Sequence, residues 1–249
     1  MKKNILCGKV ALVTGAGRGI GKACAIKFAE EGATVYAGLR NMDLGNELIL
    51  NCERLAGCII PIYLDVCDTE SIKDAALKIK KDCGVLDVLI NNAGITSINR
   101  LEMVSDEVIS SIYDTNVFGV IKTTRSFIRL LKKSDSASIV NISSILFEQG
   151  DIGQTVYAGS KAAVSTMTKV WAKEYVSNGI RVNAVAPGSV DTDMFNIADG
   201  KVRDDSINKI GFGRIANLDE IANVVLFLAT DMSSYVTGEV VRVSGGWFI

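Results

Sequence analysis

The sequence contains no histidine in its 249 residues. This absence excludes Ser-His-Asp hydrolysis, cysteine–histidine catalysis and histidine-ligated metal sites. Any acid or base in an active site must therefore be a tyrosine, lysine, aspartate, glutamate or cysteine. No metal site is predicted.

Closely spaced cysteine pairs are also missing. None of the six cysteines forms a C-x-x-C pair, and all lie in the first third of the chain. We interpret them as buried free thiols rather than disulfide partners or zinc ligands, which predicts a reducing, cytoplasmic compartment. They are Cys7, Cys24, Cys52, Cys58, Cys67 and Cys83.

Long apolar runs and an excess of one charge are absent too. No run approaches the length of a membrane span, and the basic start of the chain is not followed by the apolar region of a signal peptide. The 27 basic and 28 acidic side chains nearly balance, so nothing favours nucleic acid as a partner. Hydrophobic residues make up 48% of the chain, which is enough to bury a large core.

Short apolar runs alternate with helical patterns along the whole chain. This alternation predicts a single α/β domain over 1–249, with a Rossmann-like, doubly wound parallel sheet of about seven strands and helices on both faces. Strands are predicted over 10–14, 34–38, 58–64, 86–91, 138–142, 180–186 and 239–243. Helices are predicted over 19–31, 43–56, 69–82, 105–133 with a break near 114–119, 154–177 and 218–229.

A glycine-rich turn, Thr14-Gly-Ala-Gly-Arg-Gly-Ile-Gly21, joins the first strand to the first helix. Glycines let the backbone approach a pyrophosphate, and the helix N-terminus offers unpaired N–H groups to the anion. Such a turn can also bind nothing. Its position at the start of a β-α-β unit favours a nucleotide.

The second strand ends without the acidic residue that often holds the ribose of NAD(H). Leu39 stands about where that acid would be, Arg40 follows it, and Arg18 lies in the glycine-rich turn. Two cations without an acid suit a 2′-phosphate, so NADP(H) is favoured and NAD(H) remains possible. The alternative is that Arg40 is a solvated loop charge.

Tyr157 and Lys161 lie four residues apart on a predicted helix, and therefore on one face. An ammonium near a phenol stabilises the phenolate, so Tyr157 could exchange a proton near neutral pH with Lys161 as the tuning charge. Considered alone, the pair could instead have no catalytic role and be a tyrosine in the core next to a lysine on the surface.

The pair does not occur alone, because the sequence resembles the short-chain dehydrogenase/reductase family from end to end. The motifs that carry the resemblance are T-G-x-x-x-G-x-G at 14–21, Leu64-Asp65-Val66, Asn91-Asn92-Ala93-Gly94, Asn116, Ser143-Ser144, Y-x-x-x-K at 157–161, and Pro187-Gly188 followed by Thr192.

The resemblance implies a catalytic set of Asn116, Ser144, Tyr157 and Lys161. Ser144 would hydrogen-bond a substrate carbonyl oxygen, and Tyr157 would protonate that oxygen as hydride arrives. Lys161 would also hold the nicotinamide ribose, and Asn116 would hold a water that links Lys161 to solvent. Two aligned donors at the oxygen where negative charge develops are the arrangement that lowers the barrier.

The resemblance also implies where the cofactor lies. Asp65 and Val66 would contact the adenine, and the residues after the sixth strand would hold the nicotinamide amide. The full set of predicted cofactor residues is Gly15, Gly17, Arg18, Gly19, Ile20, Gly21, Leu39, Arg40, Asp65, Val66, Asn91, Asn92, Ala93, Gly94, Tyr157, Lys161, Pro187, Gly188, Val190 and Thr192.

The substrate is expected at 95–100, 145–155 and 189–213, and the last of these is predicted to be a lid. The sequence is most similar to the 3-oxoacyl-(acyl-carrier-protein) reductases of that family. These present two arginines to the carrier protein, where Asp135 and Asn178 stand here, with Lys132 and Lys133 nearby. Hydroxysteroid, sugar or small-ketone reductases, and a non-catalytic dinucleotide-binding regulator, are the alternatives.

Association into a homotetramer is expected from the family and from apolar residues on two helices and at the C-terminus. Phe127, Met167, Trp171 and the ending Val243–Ile249 suggest it, with packing inside the chain as the alternative.

Overall fold

A seven-stranded sheet forms the centre of the molecule, with strand order β3-β2-β1-β4-β5-β6-β7. The computed structural model describes residues 4–50, 55–192 and 207–247. All six strand pairings are parallel, and the predicted Rossmann-like α/β fold is confirmed. The strands are β1 (Val10–Thr14), β2 (Thr34–Leu39), β3 (Cys58–Tyr63), β4 (Val88–Asn91), β5 (Ser138–Ile142), β6 (Arg181–Pro187) and β7 (Val240–Val243).

Helices cover both faces of the sheet, because each connection between parallel strands must cross over. Helices α1 and α8 pack with Leu48 of α2 on one face, and α3, α5 and α7 pack on the other. Their bounds are α1 (Gly19–Glu30), α2 (Asp43–Leu50), α3 (Thr69–Asp82), α4 (Asp106–Tyr113), α5 (Gly119–Leu131), α6 (Leu146–Gln149), α7 (Thr155–Tyr175) and α8 (Leu218–Ala229).

Local side-chain chemistry fixes where several helices begin. Asp68 accepts a hydrogen bond from the Glu70 amide at the start of α3, and Ser105 accepts one from the Val108 amide at the start of α4. Asn217 and Glu220 form a reciprocal capping box at the start of α8. These caps satisfy backbone N–H groups that have no partner inside the helix.

The predicted break in the long helix is a π-type turn, Asp114–Phe118, between α4 and α5. Gly119 follows it, and a Cβ there would lie 2.8 Å from Cγ2 of Val66. The turn packs against the segment after β3 and leaves Asn116 fully buried beneath the carboxyl ends of the strands.

Four sequence predictions need correction. Cys7, Cys58 and Cys67 are exposed rather than buried, because they lie in turns or at the first residue of the edge strand β3. The second helix does not extend to 56, because Leu55 and Ala56 are not helical; it is described over Asp43–Leu50, and 51–54, including Cys52, lie outside the described residues. The short helix α6 was not predicted, since four residues carry too little periodicity. Phe127 is fully buried, so packing inside the chain accounts for it.

A search of the described helices for a segment long and apolar enough to cross a membrane finds none.

Candidate active site

A cavity of about 950 Å³ opens at the carboxyl ends of the strands, where ligands bind in open parallel sheets. Most of the residues predicted from sequence line it. Gly21, Asn91 and Asn116 do not, and they lie behind its wall. The predicted residues that line it are Gly15, Gly17, Arg18, Gly19, Ile20, Leu39, Arg40, Asp65, Val66, Asn92, Ala93, Gly94, Ser144, Tyr157, Lys161, Pro187, Gly188, Val190 and Thr192.

The glycine-rich turn has the close packing that the motif requires. Gly15 has a φ of +64°, and a Cβ there would lie 3.0 Å from Cα of Ala93. A Cβ on Gly21 would overlap both the Gly15 carbonyl oxygen and the Asn92 side chain. Nδ2 of Asn92 donates to the carbonyl oxygens of Thr14 and Gly15, at 2.9 and 3.0 Å. Asn92, the residue directly after β4, therefore holds the turn after β1 in place.

This turn leaves the start of α1 available to an anion. Arg18 occupies the N-cap position and, as a side chain without an acceptor, does not cap the first-turn N–H groups. Gly17 and Gly19 line the cavity beside those groups and, having no side chains, let a ligand approach the backbone closely. The arrangement fits the pyrophosphate of a dinucleotide.

The end of the cavity near the second strand, where the adenosine is predicted to lie, carries both predicted cations. Leu39 is buried beneath the turn, while Arg40 is exposed at the rim and Arg18 lines the wall. A carboxylate that the sequence reading missed also lies here, since Glu47 of α2 lines the cavity and pairs with Lys22 of α1. No local motif marks Glu47, because only packing brings α2 beside α1.

Asp65 and Val66 form the floor of this end. The Asp65 amide donates to the Ser71 hydroxyl at 2.8 Å, and the carboxylate oxygen Oδ1 accepts from the Cys67 amide at 2.9 Å. The turn after β3 is therefore held by its own side chains, with Oδ2 of Asp65 left as an acceptor for an amino group.

Ser144, Tyr157 and Lys161 come together at the centre of the cavity. Ser144 follows β5, lies close enough to the Tyr157 phenol to lower its pKa, and accepts from the Leu146 amide at 3.3 Å. Nζ of Lys161 lies 5.7 Å from the centre of the Tyr157 ring and donates to the Ile142 carbonyl oxygen at 2.8 Å. Ser143 faces away and bonds to the Lys161 carbonyl oxygen and to Ser165, as expected of a structural neighbour.

Burial perturbs both titratable groups. It raises the pKa of Tyr157 to about 12, against a lowering contribution from the Ser144 hydrogen bond. It lowers the pKa of Lys161 to about 8. The sequence predicts that the ammonium stabilises the phenolate directly. In the structure the Ile142 carbonyl holds that ammonium, so desolvation dominates and the phenol keeps its proton at neutral pH.

Asn116 is fully buried next to this group. Its Oδ1 accepts from the Ile95 amide, and its Nδ2 donates to the Ile95 carbonyl and the Ser160 hydroxyl, at 2.9, 2.9 and 3.0 Å. A Cβ on Gly94 would lie 3.3 Å from Asn116 Oδ1 and 3.4 Å from Lys161 Nζ. Asn116 and Lys161 therefore face each other across a glycine. Asn91 instead bonds to Thr124 and Asn141 and packs the sheet.

The segment after β6, where the nicotinamide is predicted to lie, frames the other end of the cavity. The Gly188 amide donates to the Val243 carbonyl oxygen at 3.0 Å, and Val190 pairs with Ala216. Trp247 also lines the cavity and pairs with Ile210, and no local motif marks this contribution. Residues 193–206 of the predicted lid lie outside the described residues.

The comparisons with known proteins agree along the whole chain. A family model described as enoyl-(acyl carrier protein) reductase matches residues 15–248. The 3-oxoacyl-[acyl-carrier-protein] reductase FabG of Thermotoga maritima is 44% identical over 242 residues, or 97% of this chain and 98% of that protein. FabG of Escherichia coli is 38% identical over the same shares of the two chains. A solved dehydrogenase/reductase from Sinorhizobium meliloti is 34% identical with a TM-score of 0.93, covering 99% of this chain and 98% of that one.

The buried ammonium predicts a pH-dependent cost in stability. Below about pH 8 Lys161 is protonated in both the folded and the unfolded state, so burial of the charge costs its full amount. Between that pH and the ordinary value of 10.5 the unfolded chain binds more protons, so stability rises with pH. Lys161→Met removes the charge. The wild type should therefore gain stability relative to the variant as the pH rises. We expect the difference in unfolding free energy, variant minus wild type, to decrease by on the order of 3 kcal/mol between pH 7 and pH 10.

Urea unfolding at several pH values measures this difference. Lys169→Met, an exposed position on the same helix α7, is the matched control and should give a nearly constant difference. A flat profile for Lys161→Met would show that the charge is not buried in solution.

Proposed function

This chain belongs to the short-chain dehydrogenase/reductase family, and we propose that it reduces the ketone of a 3-oxoacyl thioester to the alcohol with NADPH. The observation that carries the proposal is the pair of hydroxyl donors, Ser144 and Tyr157, meeting above Lys161 in the central cavity. The similarity to 3-oxoacyl reductases over nearly all of both chains supports the choice of substrate class.

Side chains of this protein can supply the proton that the carbonyl oxygen takes up and stabilise the negative charge that develops on it. NADPH supplies the hydride when bound. Ser144 and Tyr157 both donate to the carbonyl oxygen, where negative charge grows during the transfer. Tyr157 is protonated at neutral pH and gives its proton to that oxygen, and the Lys161 ammonium stabilises the phenolate that remains. Asn116, across Gly94 from Lys161, holds a water through which the proton is restored.

NADPH is proposed over NADH because the adenosine end carries Arg18 and Arg40 and no acid at the end of β2. A guanidinium binds a phosphate through paired, charge-assisted hydrogen bonds. Asp65 is proposed to accept from the adenine amino group, and the segment after β6 to hold the nicotinamide amide.

The proposal is limited to a thioester ketone and does not extend to a carrier protein. Asp135 and Asn178 are both exposed at the positions where the similar reductases present arginines. Lys132 and Lys133 supply positive charge near α5, but Lys132 lies over the Tyr175 ring at 5.5 Å from its centre.

A homotetramer in the cytoplasm is proposed as the working form. Ile109 of α4, Phe118 of the π-type turn and Val170 of α7 are exposed apolar side chains on neighbouring elements, and Tyr235 is fully exposed near β7. Such surfaces are usually covered. Light scattering should give four times the chain mass of 26.6 kDa, and a monomer would contradict the assembly.

Arg40→Asp should reverse the preference between cofactors. The variant loses the cation and gains a negative charge that repels the 2′-phosphate of NADPH. The kcat/KM for NADPH divided by the kcat/KM for NADH should therefore fall by at least about tenfold. Arg100→Asp, an exposed arginine that does not line the cavity, is the control and should leave the ratio near that of the wild type. Equal use of both cofactors by the wild type would defeat the NADPH assignment.

Tyr157→Phe should remove the proton donor while leaving the dinucleotide site intact. We expect NADPH oxidation with an acetoacetyl thioester to fall by roughly 10²–10⁴-fold, and NADPH affinity by fluorescence to stay within a few-fold. Tyr175→Phe, at the far end of α7, controls for the loss of a hydroxyl.

The substrate class is tested by assaying the wild type with the acetoacetyl thioester and with a crotonyl thioester, a steroid ketone and small diketones. Reduction of one of these in place of the acetoacetyl thioester would overturn the substrate class.

A further inference from the structure

One hydrogen-bond donor in the cavity wall has no partner among the described residues and no part in the proposed chemistry. Gln154, the residue before α7, lines the cavity but does not cap that helix. Its side-chain Oε1 accepts from the Thr96 hydroxyl at 3.4 Å. Its Nε2 has no hydrogen bond among the described residues and is not one of their buried unpaired atoms, so it borders the open cavity.

The wall around this amide is apolar. We call the substrate wall the part of the cavity formed by the loops after β4 and β5. Its apolar members are Ile95, Ile98, Ile145, Leu146 and Ile152. Its other polar side chains already have partners or belong to the proposed chemistry. Asn92 bonds to the turn after β1, Ser143 bonds to Ser165 and to the Lys161 carbonyl oxygen, and Ser144 faces Tyr157. Asp151 accepts from the Ile152 amide at 2.8 Å and lies 3.9 Å from Nζ of Lys209.

The orientation of Gln154 is set by contacts between the two loops. The Asn99 amide donates to the Gly153 carbonyl oxygen at 3.0 Å, which ties the loop after β4 to the residue before Gln154. Thr96 then donates to the carbonyl end of the Gln154 side chain. Because this contact turns the carbonyl end of the side chain toward Thr96, the amide nitrogen is the end left to donate to a ligand.

Gln154 lies three residues before Tyr157, so the two side chains are neighbours about one turn apart on the same side of the chain. We propose that Gln154 is a specificity-determining residue that donates from Nε2 to a second carbonyl oxygen of the substrate, one methylene away from the ketone held by Ser144 and Tyr157. The inference rests on the proposed function and names the group of the 3-oxoacyl substrate that this side chain recognises.

An unpaired donor in an apolar wall discriminates between ligands. A substrate with an acceptor at that position satisfies the amide, whereas a ketone without one leaves the amide desolvated and unpaired. The apolar side chains next to Gln154 can contact the rest of the acyl chain without competing for the donor.

A matched pair of substrates isolates the second carbonyl. Ethyl acetoacetate carries it, and 4-ethoxybutan-2-one has a methylene in its place. We define the selectivity ratio as kcat/KM for the first divided by kcat/KM for the second, measured with NADPH and the full-length protein. Gln154→Leu should lower this ratio at least about tenfold, the loss expected for one hydrogen bond in a dry site. Gln154→Glu keeps the length and the Thr96 contact but has no donor, and should lower it as well.

The chain offers a close control, because its other glutamine, Gln149, ends α6 and does not line the cavity. Gln149→Leu should keep the ratio of the wild type. Melting temperature and NADPH affinity show whether each variant is folded, and the Glu variant carries the test if the Leu variant is not. A ratio that stays constant in the folded Gln154 variants, or that falls equally in Gln149→Leu, overturns the inference.

Failure of the proposed function gives a different result. If the wild type does not reduce an acetoacetyl thioester but still loses selectivity for the ester on Gln154 substitution, the substrate class is wrong and the role of Gln154 stands. If the wild type reduces the thioester and the selectivity ratio does not change in the Gln154 variants, the substrate class stands and the role of Gln154 is wrong.

Discussion

The site depends on an ammonium held where water has little access. Lys161 is almost fully buried, and its charge is tolerated because Nζ donates to the Ile142 carbonyl oxygen at the end of β5. The energetic cost appears as the lowered pKa of Lys161. No carboxylate pairs with Lys161 among the described residues, so this position keeps a positive charge close to the Tyr157 ring, as the stabilisation of a phenolate requires.

Neighbouring elements make room for that charge. Gly94 leaves space between Lys161 and Asn116, and the π-type turn carries Asn116 inward to bind the backbone of Ile95. The same backbone segment leads into Thr96, which orients Gln154 one turn before Tyr157. Tyr157, Lys161 and the substrate wall are therefore connected through the loop after β4, so a change in that loop would move several of them together.

Much of the fold could be predicted because its signals are local. Buried strands are short apolar runs, and Asp68 and Asn217 mark helix starts with hydrogen bonds that span two or three residues. The Tyr157–Lys161 spacing and the glycine-rich turn are local as well. Two of the corrections concern exposure. Cys58 and Phe127 both look apolar in the chain, yet one begins an edge strand and the other lies in the core. Burial depends on neighbours that are distant in sequence.

The sequence by itself determined the parallel α/β fold, the turn suited to a pyrophosphate and the tyrosine and lysine on one helix face, because periodicity and turn chemistry act over a few residues. Only the tertiary structure decided that Ile142 holds the Lys161 ammonium, that Glu47 lies beside Lys22, and that Thr96 turns the Gln154 amide toward the cavity. These partners are separated by 19, 25 and 58 residues. Their contact follows from the convergence of parallel strands at one edge of the sheet, which no local pattern in the chain encodes.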